Sequence, residues 1–240
     1  MFEHILVPLD GSPLAEKALP HAVAMARSFE ARITLLRAVD RPSSSGRPSA
    51  VDPLDWEIRK SEAESYLDEV RARLAETGLE TERVLSEGGA AERIIDFART
   101  QDVDLIVLTS HGQGGLSDWN ISSVVQKVIL GAYMPVLIVR AYQPAADELT
   151  DLSYRRLLLP LDGSQRAECV LPLATALGRL QDATIVLAHV VAELEAPRRV
   201  ALTEEERELL DRLTELNRRQ ATEYLKDVAS RISVDVQWRV

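Results

Sequence analysis

The sequence predicts an α/β fold, a doubly wound parallel sheet present once in full and followed by an incomplete second copy. Three observations carry that expectation. First, residues 5–26, ILVPLDGSPLAEKALPHAVAMA, align without a gap on residues 157–178, LLLPLDGSQRAECVLPLATALG, and the register continues from ARITLLRAV (31–39) to ATIVLAHVV (183–191). A shared register through strand, turn, helix and strand marks a duplicated unit. Second, strand and helix patterns alternate along the chain, as parallel sheets require. Third, the strand segments are nearly continuous in apolar residues, the pattern of strands buried on both faces.

Taken in order, Ile5-Leu6-Val7 opens the first copy as a buried strand. The turn Asp10-Gly11-Ser12 follows, with Ser12 as helix N-cap and Pro13 at the first helical position. Ala15, Ala18, Leu19, Ala22 and Met25 mark one face of a single helix. Ile33–Val39 is the second strand, and the Ser, Pro and Gly-rich residues 40–52 form a loop. Trp56 to Glu76 reads as a helix through Ala63, Tyr66, Leu67, Val70 and Leu74, with Gly78 placed as its C′ residue. A strand near 82–85, a helix near 91–100, a buried strand Leu105–Leu108, a glycine-rich loop, a helix near 123–130 and a strand Val136–Val139 complete the copy. Residues 1–141 therefore form a full domain, 142–153 a linker, and 154–240 a shortened domain. That second domain repeats strand, turn and helix with Ser164 as N-cap. It then runs into a long helix opened by a capping box, Thr203 with Glu206, and a strand-like Ile232–Val240. It has no counterpart of the segment 105–139, so it lacks a fourth and a fifth strand.

Composition limits the function. The chain has 240 residues, 28 Lys and Arg against 38 Asp and Glu, and a net charge of −10. Nucleic-acid binders normally carry a basic face, so no nucleic-acid partner is expected. One cysteine, Cys169, excludes an internal disulfide framework, and its helical position favours a packed or incidental thiol. The four histidines show no metal-ligand spacing, and no metal site is expected. No signal-peptide layout opens the chain, and no apolar run approaches the roughly 20 residues that span a bilayer. The expectation is a soluble cytoplasmic protein with no membrane partner.

The stretch 104–140, DLIVLTSHGQGGLSDWNISSVVQKVILGAYMPVLIVR, carries the chemistry. A strand leads into a loop of small residues, and a helix begins at Ser122-Ser123. Backbone N–H groups of such a loop, with a helix N-terminus, make a phosphate cradle. Asp10, at the carboxyl end of the first strand, suits ribose hydroxyls or a divalent cation beside phosphates. It equally suits ordinary turn chemistry, which is the reading for Asp162 in the second copy. His111 has no nucleophile or carboxylate at a recognisable spacing and reads as a residue shaping the loop, so no catalytic residue is expected. GQGG at 112–115 is neither a dinucleotide fingerprint nor a P-loop.

This stretch, with the opening Pro-Leu-Asp-Gly-Ser turn, resembles the universal stress protein family over residues 2–140, and over 155–240 for the first three strands alone. The resemblance implies a five-stranded sheet of order 3-2-1-4-5, of the adenine-nucleotide alpha hydrolase-like type, with its crevice between strands one and four. It implies ATP or ADP, with or without magnesium, as ligand. Pro8, Leu9 and Asp10 would flank the ribose and Val39 the adenine. Nucleotide-binding members carry Gly, two residues, Gly, nine residues, Gly and a hydroxyl residue. These positions fall here on Thr109, Gly112, Ser122 and Ser123, so two of the three glycines are replaced; Val124 follows at the phosphate end. Three functions stay open: a nucleotide-binding regulator of the stress response, a dimerising interaction module without nucleotide, and a slow ATPase. A homodimer is expected, since an apolar first strand without its fourth-strand neighbour presents an open edge.

Overall fold

The computed structural model describes residues 1–40, 53–111, 121–140, 149, 152–192 and 203–240. They divide into two compact units, Met1–Leu152 and Ser153–Val240. The first contains β1 (His4–Pro8), α1 (Pro13–Glu16), α2 (Ala18–Phe29), β2 (Arg32–Val39), α3 (Pro53–Ala75), β3 (Thr81–Glu87), α4 (Ala90–Thr100), β4 (Leu105–Thr109), α5 (Ser123–Gly131) and β5 (Val136–Val139). All strand pairs are parallel, in the order β3-β2-β1-β4-β5.

The helix read as continuous from Ala15 to Met25 is two helices, broken at Lys17. Pro20 explains the break. It has no N–H to give the Glu16 carbonyl four residues back, and its ring would crowd that carbonyl. The repeat carries Pro172 after Glu168, and the chain breaks there in the same way.

Side chains alternate across the sheet and fill two layers. Leu6, Leu36, Ile106 and Leu108 pack with Ile94 and Ala98 of α4 and Val125 and Val128 of α5. The odd-numbered residues Ile5, Val7, Ile33 and Leu35 are as fully buried on the other face, where α2 and α3 contact β1, β2 and β3. β1 pairs with β2 over five residues, His4 to Pro8, but with β4 only at Ile5↔Leu105 and Leu6↔Ile106.

Polar contacts lock the amino end of β1. The Asp104 carboxylate accepts the backbone N–H groups of Glu3 (2.8 Å) and His4 (3.0 Å), docking the approach to β4 against β1. The buried His4 ring bridges to the carbonyl of Gln101 through Nδ1 (3.0 Å) and to the Thr34 hydroxyl through Nε2 (2.8 Å). Arg32 Nη2 also reaches Nδ1 (3.1 Å), so three polar groups hold the ring.

The second unit contains β6 (Arg156–Pro160), α6 (Gln165–Glu168), α7 (Leu171–Gln181), β7 (Thr184–Ala188), α8 (Glu204–Ser230) and β8 (Val236–Arg239). Its parallel sheet, β6-β7-β8, reproduces the run β1-β2-β3 and is an incomplete copy of the same fold. The Thr203–Glu206 capping box is formed, each side chain meeting the other's backbone N–H. The last strand starts at Val236, later than its apolar pattern suggested. Cys169 is exposed rather than packed. Leu159, Leu161, Ile185, Leu187, Leu225 and Val228 form the core. Among the described residues β6 pairs with β7 alone. Leu158 is consequently 67% exposed, whereas Leu6, at the same register in the first unit, is 0% exposed.

His4 gives the first unit a pH dependence. Burial, its largest influence, holds the ring's pKa below the ordinary 6.5. Below about pH 6.5 the unfolded chain therefore binds a proton that the native ring resists, and stability falls as pH falls through that range. Burial lowers His21 as well, and it adds to the slope. Urea unfolding at about pH 7.5 and about pH 5.5 should show lower stability at the acid end. His4→Gln, which cannot ionise, should shrink the difference; an unchanged difference would refute the role of His4.

Candidate functional site

The site is built where β1 and β4 part. Leu9 donates its N–H to the Leu36 carbonyl of β2 (2.8 Å). Successive backbone N–H groups of a strand address alternate neighbours, so the N–H at position 8 would address β4, and Pro8 has none to give. The β1–β4 ladder ends and a crevice opens at the carboxyl ends of the two strands, where open α/β sheets bind ligands.

Beyond Pro8 the chain turns sharply. Asp10 Oδ1 accepts the Ser12 N–H at 2.9 Å, and Gly11 takes a left-handed φ of 85°, a conformation that costs glycine little. Ser12 Oγ then accepts the Ala15 N–H (3.1 Å) and caps α1. On the other wall, the Thr109 hydroxyl donates to the His111 carbonyl at 2.7 Å and is committed to the backbone as the chain leaves β4. Ser110 Oγ lies 3.0 Å from His111 Nδ1, and both residues are buried. The Ser122 N–H donates to the Ser110 carbonyl (3.1 Å), which seats α5 beside the end of β4. Ser122 Oγ accepts the Val125 N–H at 3.3 Å, so Ser122 is the N-cap of α5. The first turn of that helix leaves the Ser123 and Val124 amides without intrahelical partners.

Between these walls lies a cavity of about 270 Å³. Leu36, Ala38, Ile94 and Leu108 supply apolar lining; Asp10, Thr109, His111, Ser122 and Ser123 are the polar groups around it. Of the expected site residues, Pro8, Leu9, Asp10, Thr109, Ser122, Ser123 and Val124 all line this cavity. Val39 does not; its neighbour Ala38 does, because side chains alternate along β2 and Ala38 shares the face of Leu36. Gly112 lies outside the described residues, as do Asp118 and Trp119 of the same loop. Sequence reading did not single out Leu36, Ala38, Ile94 or Leu108. The signal available was the two-residue alternation of β2 and β4.

With this geometry in view, known proteins can be compared. The model of the universal stress protein family matches residues 1–140 and again 153–239. The chain belongs to the universal stress protein family. The stress protein YxiE of Bacillus subtilis is 34% identical over 148 residues, covering 58% of this chain and 100% of that protein. The solved universal stress protein UspA from Lactobacillus plantarum is 29% identical with a TM-score of 0.52, over 58% of this chain and 98% of its own. A universal stress protein from Archaeoglobus fulgidus, 18% identical, shares the fold over 98% of this chain and 77% of its own, with a TM-score of 0.65. The chain carries the family's unit once in full and once in part. Among the described residues no helix is long and apolar enough to cross a membrane, and no group of three or more His, Cys, Asp or Glu is placed to hold a metal ion.

The capping role of Ser122 is directly measurable. Ser122→Ala should destabilise the first unit by about 1 kcal/mol in urea unfolding, and Ser122→Gly by only a few tenths. No loss in Ser122→Ala would show that Oγ contributes nothing to the start of α5.

Proposed function

We propose that the first unit binds an adenine nucleotide, ATP or ADP, and that the protein acts as a regulatory member of the cytoplasmic stress response. The observation that carries this reading is the crevice itself. Its apolar lining suits a flat base, Asp10 is placed to accept hydrogen bonds from ribose hydroxyls, and the exposed first-turn amides of α5 suit phosphate oxygens. Family membership adds support, since Gly112 and Ser123 keep two of the four positions of the family's nucleotide-binding signature, while Thr109 and Ser122 stand in place of glycine. The donor set fits magnesium only as a companion of the nucleotide. Among the described residues Asp10 is the single carboxylate lining the cavity, and Mg²⁺ is commonly held by one or two carboxylates together with phosphate oxygens. Bound there, the ion would neutralise phosphate charge beside Asp10.

Catalysis is at most a slow ATPase, in keeping with a family that is regulatory rather than strongly enzymatic. One observation favours the reading without nucleotide. Ser122 places a Cβ and a committed hydroxyl where nucleotide-binding members carry glycine, and that side chain stands at the mouth of the phosphate cradle.

Calorimetry decides between them. ATP should bind at one site per chain, and Asp10→Ala should weaken it about tenfold, about 1.4 kcal/mol. No binding by the unaltered protein, two equivalent sites, or an indifferent Asp10→Ala would each defeat the reading.

The homodimer is proposed on separate grounds. β6 occupies the place that β1 holds at the centre of the first sheet, yet its second edge is open among the described residues and Leu158 is exposed. No charge lies within Leu157–Leu161 to discourage pairing with a second copy of the chain. Light scattering after size exclusion should give at least twice the chain mass at micromolar concentration. A clean monomer there removes the proposal.

A further inference from the structure

The Asp10–Gly11–Ser12 turn is held from behind. Along β2, Leu36 and Ala38 face the cavity, and Arg37 between them points to the opposite face. There the Arg37 guanidinium lies 5.1 Å from the centre of the Tyr66 ring on α3. It also backs directly on the turn, since a Cβ at Gly11 would stand 3.1 Å from Arg37 Nη2. The Tyr66 hydroxyl is buried and forms no hydrogen bond of good geometry among the described residues. Burial first, then the charges of Glu16 and Asp10, raise the pKa of this phenol far above its ordinary value, with Arg73 opposing. Tyr66 therefore stays neutral and presents an uncharged ring to Arg37. Glu16, the last residue of α1, is paired in turn with Arg73, whose Nη2 lies 2.5 Å from Glu16 Oε2. Arg73 stands two turns beyond Tyr66 on the same helix. The contacts run from α3 through both of its side chains to the end of α1 and to the back of Gly11.

The second unit repeats the arrangement only in part: a Cβ at Gly163 would meet nothing within 4 Å, so no side chain backs that turn as Arg37 backs Gly11. Arg231, two turns beyond Tyr224, pairs with Glu168 at the end of α6, with Arg231 Nη1 3.0 Å from Glu168 Oε2. Burial, then Glu168, raises the Tyr224 pKa, with Asp162 adding and Arg231 opposing, the same groups in the same senses. His189 stands where Arg37 does, its ring centre 6.0 Å from that of Tyr224. Asp162 Oδ1 accepts the Ser164 N–H at 2.9 Å, as Asp10 does that of Ser12. Within residues 153–240 these contacts form beside the turn without a counterpart of residues 105–139.

We propose that Arg37, Tyr66, Glu16 and Arg73 form a clamp that fixes the Asp10 turn before any ligand arrives, and that they are positioning residues for the ribose contact of Asp10. The second half of this proposal rests on the nucleotide reading above; the first does not. A turn already fixed loses less freedom when Asp10 engages a ligand, so the clamp raises affinity without touching the ligand.

Two measurements on the full chain test it, using Tyr66→Leu, which removes the ring, and Tyr66→Phe, which keeps it. Hydrogen exchange at the Gly11 and Ser12 amides should quicken about tenfold in Tyr66→Leu and stay near the native rate in Tyr66→Phe. The Ile5–Val7 amides should be unchanged in both, which separates a loosened turn from a damaged fold. Unchanged exchange at Gly11 and Ser12 in Tyr66→Leu overturns the clamp. If Tyr66→Leu disturbs the β1 amides as well, Arg37→Met takes its place, and unchanged turn exchange there is equally fatal. The ribose role is read by the ratio of ATP to 2′-deoxy-ATP affinity, which should drop about threefold in Tyr66→Leu and hold in Tyr66→Phe. A constant ratio overturns the positioning role. Absence of nucleotide binding in the unaltered protein overturns the functional reading, while the exchange rates still decide the clamp.

Discussion

The first unit depends on the uneven pairing of its central strand. β1 is bonded to β2 along its whole length, but it follows β4 for only two residues. At its amino end the Asp104 carboxylate, taking two backbone N–H groups, keeps the strands together. At its carboxyl end Pro8 offers β4 no donor, and the strands part. One end is tied and the other released. Helices α4 and α5 cover one face and α2 and α3 the other, so the parting strands leave a lined cavity rather than a gap in the core.

The same constraint decides which side chains can serve a ligand. Every residue lining the cavity follows a strand end or opens a helix, apart from the apolar residues that β2, α4 and β4 already direct inward. Polar groups there are mostly committed to local structure. Asp10 holds the Ser12 amide, Ser122 caps α5, and Thr109 is bonded to the His111 carbonyl. What a ligand meets is a carboxylate, a few hydroxyls and the amides of a helix start, already held in place by local structure. Such a set favours binding over bond-making chemistry.

Local features were legible in the sequence. The Ser12, Ser164 and Thr203 caps and the alternation of strands and helices follow from signals a few residues long or from the repeat, while the convergence of Pro8, Leu9, Asp10, Thr109, Ser122, Ser123 and Val124 on one cavity was implied by the family resemblance. The break at Lys17 was also written there, in Pro20, but the apolar spacing on either side masks it. Contacts between distant positions were not legible. His4 meeting Thr34 and Gln101, and Glu16 meeting Arg73, join residues whose proximity exists only once the sheet is wound. The exchange of Val39 for Ala38 at the cavity has a narrower cause: a shift of one residue along a strand reverses the face.

The unequal sheets of the two units bear on how the chain comes apart. The first closes five strands between two helical layers, while in the second the strand equivalent to β1 keeps Leu158 two-thirds in water. Less apolar surface leaves water when the second unit folds, so its margin over its own conformational entropy is narrower. Heat or denaturant then meets two cores of different depth within one polypeptide, and where they melt apart a single midpoint drawn through the curve belongs to neither.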